Sequence, residues 1–193
     1  MPKVRNNANT VRLIAGDLRR RQLRFPDAEG LRPTGDRVRE TLFNWLQDYC
    51  AGANCLDLYA GSGVLGIEAI SRGAAWLDLV DANPAVARAI QENLATLAIT
   101  NARVSQTTAE RWLQQAHDRR YQLVFLDPPF RAADLPAICA RLEQAALLDN
   151  NCLVYLESDK PLDEAALPAN WEKAKSKKAG QVYYYLYKRQ DRK

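Results

Sequence analysis

The stretch LDLYAGSGVLG, Leu56–Gly66, decides how this 193-residue chain folds. Its first half is apolar apart from Asp57 and reads as a strand. Its second half carries Gly61-x-Gly63-x-x-Gly66 and runs into VLGIEAISR, which reads as a helix. Strand, glycine turn and helix in that order open a βαβ unit. Glycines let the backbone approach a ligand closely, and the helix start offers unpaired N–H groups to it.

Onward from that unit the pattern alternates. AWLDLVDA is a strand before the helix PAVARAIQENLATL, and ARVSQ a short strand before AERWLQQAH. YQLVFLD is a strand followed, after two prolines, by LPAICARLEQAALL, and CLVYLES is a fifth strand. Such alternation implies a mostly parallel sheet with helices on both faces. WEKAKSKKAGQVYYYLYK reads as a hairpin turning at Ala179-Gly180, which closes a seven-stranded sheet. Upstream, TVRLIAGDLRRRQLRF reads as a hairpin around Gly16-Asp17 and EGLRPTG as a loop. Asp36–Tyr49 reads as a helix with Thr34 or Asp36 as its cap. The expected organisation is a basic hairpin arm and loop over 1–34, then an α/β, Rossmann-like domain over 35–193.

The strand that ends on Asp127 stops abruptly. In LVFLDPPF, Leu123–Phe130, an acid is followed by two prolines and an aromatic ring. Proline cannot continue a strand ladder and restricts the residue before it. Asp127 is thereby delivered to the carboxyl edge of the sheet, where open α/β folds bind ligands. A D-P-P turn with a core Phe is also simple punctuation, and the motif gains meaning only with the acids and glycines around it.

Charge is unevenly spread. Residues 1–39 carry ten Lys/Arg against four Asp/Glu, residues 173–193 eight against one, and the segment between nine against eighteen. An acidic body between basic ends suggests a polyanionic partner. RRRQLR, Arg19–Arg24, lies between apolar residues rather than in a low-complexity tail. Cys50, Cys55, Cys139 and Cys152 form no CxxC pair, so they read as reduced core residues rather than a metal site or disulfide framework. His117, the only histidine, sits in polar QQAHDRR and reads as an exposed helix residue. Trp45, Leu46, Trp76 and Trp112 read as packing residues, and YYYLY as an alternating strand. No apolar run approaches the ~20 residues of a membrane helix, and the start lacks a signal peptide's apolar core. A cytoplasmic protein without membrane or metal partners is expected.

Which ligand fits the glycine turn? A dinucleotide fold expects an acid about 20 residues on to hold the ribose hydroxyls, and Asp81 fits. A pyrophosphate, however, has no use for Asp57, four residues before Gly61, and DPPF offers nothing to a nicotinamide. An adenosyl ligand with an amino-acid tail satisfies both: Asp57 meets its ammonium and Asp81 its ribose. That ligand is S-adenosyl-L-methionine.

DLYAGSG, VDAN and DPPF, in this order, resemble the class I S-adenosylmethionine-dependent methyltransferases. DPPF matches the [DN]PP[YFW] motif of those acting on exocyclic or amide nitrogens. RLIAG, LRPTGDRVRETLFNWL, LDLYAGSGVLGIEAISRGA and FLDPPF further resemble the RsmD family, bacterial methyltransferases for guanine N2 in 16S ribosomal RNA. The match runs from about Arg12 to Tyr187. The resemblance implies cofactor contacts at Asp57, Tyr59, Gly61, Ser62, Gly63, Asp81, Ala82, Asn83, Thr108 and Ala109. It implies that Asp127 and the Pro128 carbonyl hold the amine hydrogens while Phe130 stacks on the base. Arg19, Arg20, Arg21, Arg24, Arg32, Thr34, Arg37 and Arg39 are expected to contact RNA or border its pocket. The implied substrate is 16S rRNA in an assembled or partly assembled small ribosomal subunit. The chain departs from the family at Arg20, where glycine is usual, and at Thr108, where an acidic residue is common. A DNA adenine-N6 methyltransferase, a protein-glutamine methyltransferase and a non-catalytic RNA-binding module are the alternatives.

Overall fold

The computed structural model describes residues 9–28, 31, 33–115, 117–129 and 134–190. Phe130 and Arg32 lie outside the described residues.

The apolar runs become strands and the amphipathic segments helices, in the expected alternation. β1 (Asn9–Arg12) and β2 (Gln22–Phe25) pair antiparallel as a separate hairpin, and α1 (Asp36–Trp45) follows. Then come β3 (Asn54–Asp57), α2 (Val64–Ser71), β4 (Trp76–Asp81), α3 (Pro84–Thr96) and β5 (Ala102–Gln106). α4 (Ala109–Leu113), β6 (Tyr121–Leu126), α5 (Leu135–Gln144) and β7 (Leu148–Ser158) continue the alternation. β8 (Trp171–Ala179) and β9 (Val182–Arg189) form the closing hairpin. The seven-stranded sheet has the order β5-β4-β3-β6-β7-β9-β8. It is parallel from β5 to β7, and β9 joins β7 antiparallel.

Side chains alternate across each strand, so the sheet has two packed faces. α1, α2, α3 and the hairpin cover one face, around Leu42, Phe43, Ile67, Ile90, Phe125 and Tyr155. α4 and α5 cover the other, around Trp112, Val124, Ile138 and Leu156. All four cysteines are buried. Among the described residues, no helix is long and apolar enough to cross a membrane.

The hairpin is built into the body. Val11, Leu13, Leu23 and Phe25 are buried in the same cluster as α1 to α3, so a boundary at residue 34 separates elements that share one core. Glu68 of α2 accepts from the Ile14 and Ala15 N–H groups at 2.8 and 2.9 Å. Asn93 of α3 exchanges two hydrogen bonds with the Arg24 backbone. Gly16, at φ +77, presses on α2 so closely that a Cβ there would lie 1.7 Å from the Ser71 carbonyl oxygen.

Three local expectations are corrected. Gly35, not Thr34 or Asp36, is the N-cap of α1, and no side chain caps it. Thr34 instead bonds Asp127, and Asp36 pairs with Arg39. α5 stops at Gln144 rather than at Leu148, because Ala146 turns to φ 54; Leu148 already pairs with Tyr121, so β7 begins earlier than CLVYLES suggests. His117 is not a free surface residue: its ring stacks on Trp112 with centroids 3.8 Å apart.

Candidate active site

The strand order reverses beside β3, with β4 and β5 on one side and β6 and β7 on the other. Ligands in open α/β sheets bind at such a switch point, beyond the carboxyl ends of the strands. Asp57 ends β3, Asp81 ends β4, and Asp127 directly follows β6. Cys55, Leu79 and Phe125, two residues before each acid, belong to the cluster under α1 to α3. By alternation the three carboxylates share that face.

The glycine turn is fitted to them. Gly63 is the left-handed N-cap of α2, at φ 76. Gly66 has no room for a side chain, since a Cβ would lie 2.7 Å from Leu77 Cδ1. The close approach brings its N–H, unpaired in a first helical turn, to Asp57 Oδ2 at 3.2 Å. Asp81 Oδ2 accepts from the Gly61 N–H at 2.9 Å and Oδ1 from the Asn83 N–H at 2.8 Å, tying the turn to β4. Ser62 is buried in the turn and accepts weakly from the Val64 N–H at 3.4 Å. Asn83, next to exposed Ala82, caps α3 by accepting from the Ala85 and Val86 N–H groups. Thr108 caps α4 through the Arg111 N–H, with Ala109 buried behind it. Tyr59 is the exception: its ring packs on the opposite face of the sheet, and its hydroxyl is buried without a partner.

Asp57 is 1 % exposed. Burial pushes its carboxyl up to about 7; the Asp81 charge acts in the same direction, and the Gly66 and Tyr59 N–H groups oppose it. Asp81 is also raised by burial, against the Asn83 and Gly61 N–H groups.

Asp127 is half-buried and accepts from the Thr34 hydroxyl at 3.3 Å. Burial holds its carboxyl well above the usual carboxylate range, and the charges of Glu157 and Asp57 push the same way. Pro128 behind it is buried. Glu157, near the end of β7, stands beside Asp127 and is not singled out by the motifs. Its signal is the one that marks Asp127: CLVYLES is another apolar strand ending on an acid.

Comparison with known proteins gives the lineage. The family model described as Conserved hypothetical protein 95 matches residues 11–188. The Ribosomal RNA small subunit methyltransferase D of Escherichia coli K12 is 45% identical over 185 residues, covering 96% of this chain and 93% of that one. The chain belongs to the RsmD family of methyltransferases. The solved structure of the Escherichia coli protein yhhF superposes with a TM-score of 0.85 at 44% identity, covering 95% of this chain and all of that one. The T. thermophilus 16S rRNA N2 methyltransferase RsmC, solved with AdoMet and guanosine, has the same fold, with a TM-score of 0.70 at 22% identity over 95% of this chain and 50% of that one.

The basic residues of this RsmD-family chain divide into two kinds. Arg19, Arg20, Arg21, Arg24 and Arg37 are exposed. Arg20 stands at φ 69, which explains why glycine suits the position: the left-handed region favours a residue without a Cβ. Arg39 is a correction. It is fully buried, and its guanidinium donates to the Thr34 and Arg12 carbonyl oxygens and to Asp36, 3.9 Å from Glu68. It holds the hairpin, the loop and α1 together and has no face left for RNA. Half of the C-terminal Lys/Arg lie on β8, the edge strand, where Lys173, Lys175, Lys177 and Lys178 are exposed.

Proposed function

We propose that this methyltransferase transfers a methyl group from S-adenosyl-L-methionine to the exocyclic N2 of a guanine in 16S ribosomal RNA. The observation that carries the reading is the placement of Asp127, followed by Pro128, beside the glycine turn and Asp57 at the switch point. The donor set suits the cofactor. A buried carboxylate is satisfied by an ammonium group, and Asp57 offers one next to a turn whose glycines leave the backbone open. Asp81 would hold the ribose, with Asn83 and Ala82 beside it and Thr108 and Ala109 toward the adenine. Tyr59 would contribute through its backbone. The cofactor supplies a methyl carbon made electrophilic by the attached sulfonium.

The amine is the harder partner, because its lone pair is delocalised into the purine ring. Asp127 and the Pro128 carbonyl accept its hydrogens and favour the tetrahedral nitrogen that attacks. The prolines leave these acceptors little freedom, so the work is positioning and electrostatics. Phe130 would stack on the base, a contact worth roughly 1–3 kcal/mol in nucleic-acid binders. A paired base is out of reach inside a duplex, so the guanine is flipped out or already unpaired. The name of the Escherichia coli relative supports ribosomal RNA of the small subunit as the substrate. The deciding experiment is methyl transfer from labelled cofactor to small-subunit particles of a strain lacking the protein, followed by digestion to nucleosides. Label in N2-methylguanosine is expected; label in another base, or none, overturns the reading.

Cofactor affinity should depend on pH. Only ionised Asp57 meets an ammonium group, and its carboxyl titrates at about 7 in the free protein. Binding therefore weakens as pH falls below that value, approaching tenfold per unit. Calorimetry across this range should show the slope for the native chain, and a much weaker, flatter response for Asp57→Asn. Equal affinity in the two proteins would remove Asp57 from the cofactor site.

RNA phosphates are expected at the hairpin. Deleting it would also remove core residues Leu13 and Leu23, so point changes are the cleaner probe. Arg19, Arg21 and Arg24, neutralised together, should flatten the log–log salt dependence of RNA affinity by roughly two units, at about 0.7 per contact for single strands. An unchanged slope on small-subunit particles would return these arginines to ordinary surface residues.

A further inference from the structure

Glu157 has no role in the mechanism so far, yet it is a buried acid beside Asp127 on the neighbouring strand β7. β6 and β7 run parallel, with Phe125 opposite Tyr155 and Leu126 opposite Leu156. One step further, Asp127 and Glu157 are neighbours, and by alternation they share the face of Phe125 and Tyr155. Glu157 is 4 % exposed, and the Tyr155 hydroxyl donates to its Oε1 at 2.7 Å. The Thr34 hydroxyl, which donates to Asp127 Oδ2 at 3.3 Å, interacts with Glu157 as well.

A hydroxyl has one proton to donate and lone pairs with which to accept. Between two ionised carboxylates it satisfies only one, and the two repel. With one carboxyl protonated, the chain closes: the protonated acid donates to Thr34 Oγ1, and Thr34 donates to the ionised one. Two carboxyls that neighbour each other on adjacent strands and share one hydroxyl titrate as a pair.

We propose that Glu157 is a positioning residue for methyl transfer: it shares one proton with Asp127 across the Thr34 hydroxyl and so sets the protonation state in which Asp127 meets the substrate amine. The proposal rests on the reading of Asp127 as the acceptor of the amine hydrogens. When the shared proton sits on Glu157, Asp127 is ionised and can accept. The N–C bond then forms as the C–S bond breaks, and the pair of electrons of that bond stays on sulfur, leaving a neutral thioether. The methylated nitrogen, now cationic, gives a proton to Asp127, which is half-buried and returns it to solvent. The charge on Glu157 disfavours ionisation of Asp127, and the Thr34 hydroxyl favours it. Among the described residues, Asp57 from β3, Tyr155 on β7 and Tyr184 on β9 are the other titratable groups around the pair.

The two partners act with opposite sign, and that is the test. The acid limb of kcat is measured on unmethylated small-subunit particles for the native chain and four variants. Glu157 is charged whenever the shared proton sits on Asp127, and that charge holds the proton there; Glu157→Gln abolishes it, so the limb moves to lower pH by one unit or more, and the variant keeps about tenfold more of its optimal rate on that limb. Glu157→Asp keeps the native limb. Thr34→Val removes the hydroxyl and moves the limb to higher pH, and Thr34→Ser restores it. A purely structural role would lower rates in all variants without moving the limb in opposite directions. Native turnover with an unmoved limb in Glu157→Gln and Thr34→Val overturns the shared proton alone. Absence of native transfer overturns the functional reading and this proposal with it. If Glu157→Gln does not fold, the limbs of Thr34→Val and Thr34→Ser decide the matter.

Discussion

Asp127→Ala is expected to lower methyl transfer by about 10³-fold, the range in which removing a positioned proton acceptor or electrostatic partner falls. Cofactor affinity should change by no more than about twofold, an order-of-magnitude bound that follows from assigning Asp127 to the amine. The split matters because Asp57 and Asp127 lie on adjacent strands and the same face of the sheet. If Asp127 held the cofactor, binding and turnover would fall together. Asp127→Asn separates two further contributions: it keeps an acceptor oxygen but cannot take a proton. A rate between those of the native chain and the alanine variant would assign part of the effect to holding the hydrogens and part to removing one. Single-turnover rates with calorimetry on the same preparations make the measurement. Loss of the calorimetric signal in Asp127→Ala would move the residue to the cofactor.

The largest effect on stability is expected at Glu68. It is fully buried, accepts from the Ile14 and Ala15 N–H groups and from Arg72 Nε, and lies 3.9 Å from the guanidinium of fully buried Arg39. Replacing it with alanine leaves two N–H groups and part of Arg39 uncompensated. Breaking one side of a buried ion pair typically costs about 3–5 kcal/mol. For a chain of this length that corresponds to a fall in Tm of roughly 10 °C. Glu68→Gln, which keeps an acceptor oxygen, should lose less than the alanine variant. Thermal and urea unfolding would check both, and a loss below about 1 kcal/mol for Glu68→Ala would mean that water reaches the site.

Most of the fold is legible because each strand is a short apolar run and each helix a periodic one, with glycine or proline at the joints. Asp57, Asp81 and Asp127 are legible for the same reason, as acids at the ends of apolar strands. Glu157 carries the identical mark but lacks a proline motif, so its strand reads as core. Arg39 is misread because arginine near a basic segment suggests a phosphate. Yet Arg39, Leu42, Phe43 and Leu46 follow the i, i+3, i+4, i+7 spacing of a buried helix face, and all are buried. Its partner Glu68 lies in a different helix, and no local pattern pairs the two. The cap of α1 is misread because Thr34 is drawn to Asp127, 93 residues away, a tertiary contact that outcompetes the local one. The side-chain direction of Tyr59 is set by where β3 ends, which sequence periodicity fixes only to within a residue or two.

The hydrogen bonds that seat the hairpin also set an order of events in synthesis. Ile14, Leu18 and Arg24 bond to Glu68, Ser71 and Asn93, which are 54, 53 and 69 residues further along the chain. Isolated two-stranded hairpins are marginal in water, and contacts this distant in sequence must close a long loop before they return any stability. The hairpin, though made before α2 and α3, is therefore among the later parts to find its place. Until α2 and α3 have formed, RRRQLR is an unstructured cationic strand emerging beside a surface made of ribosomal RNA.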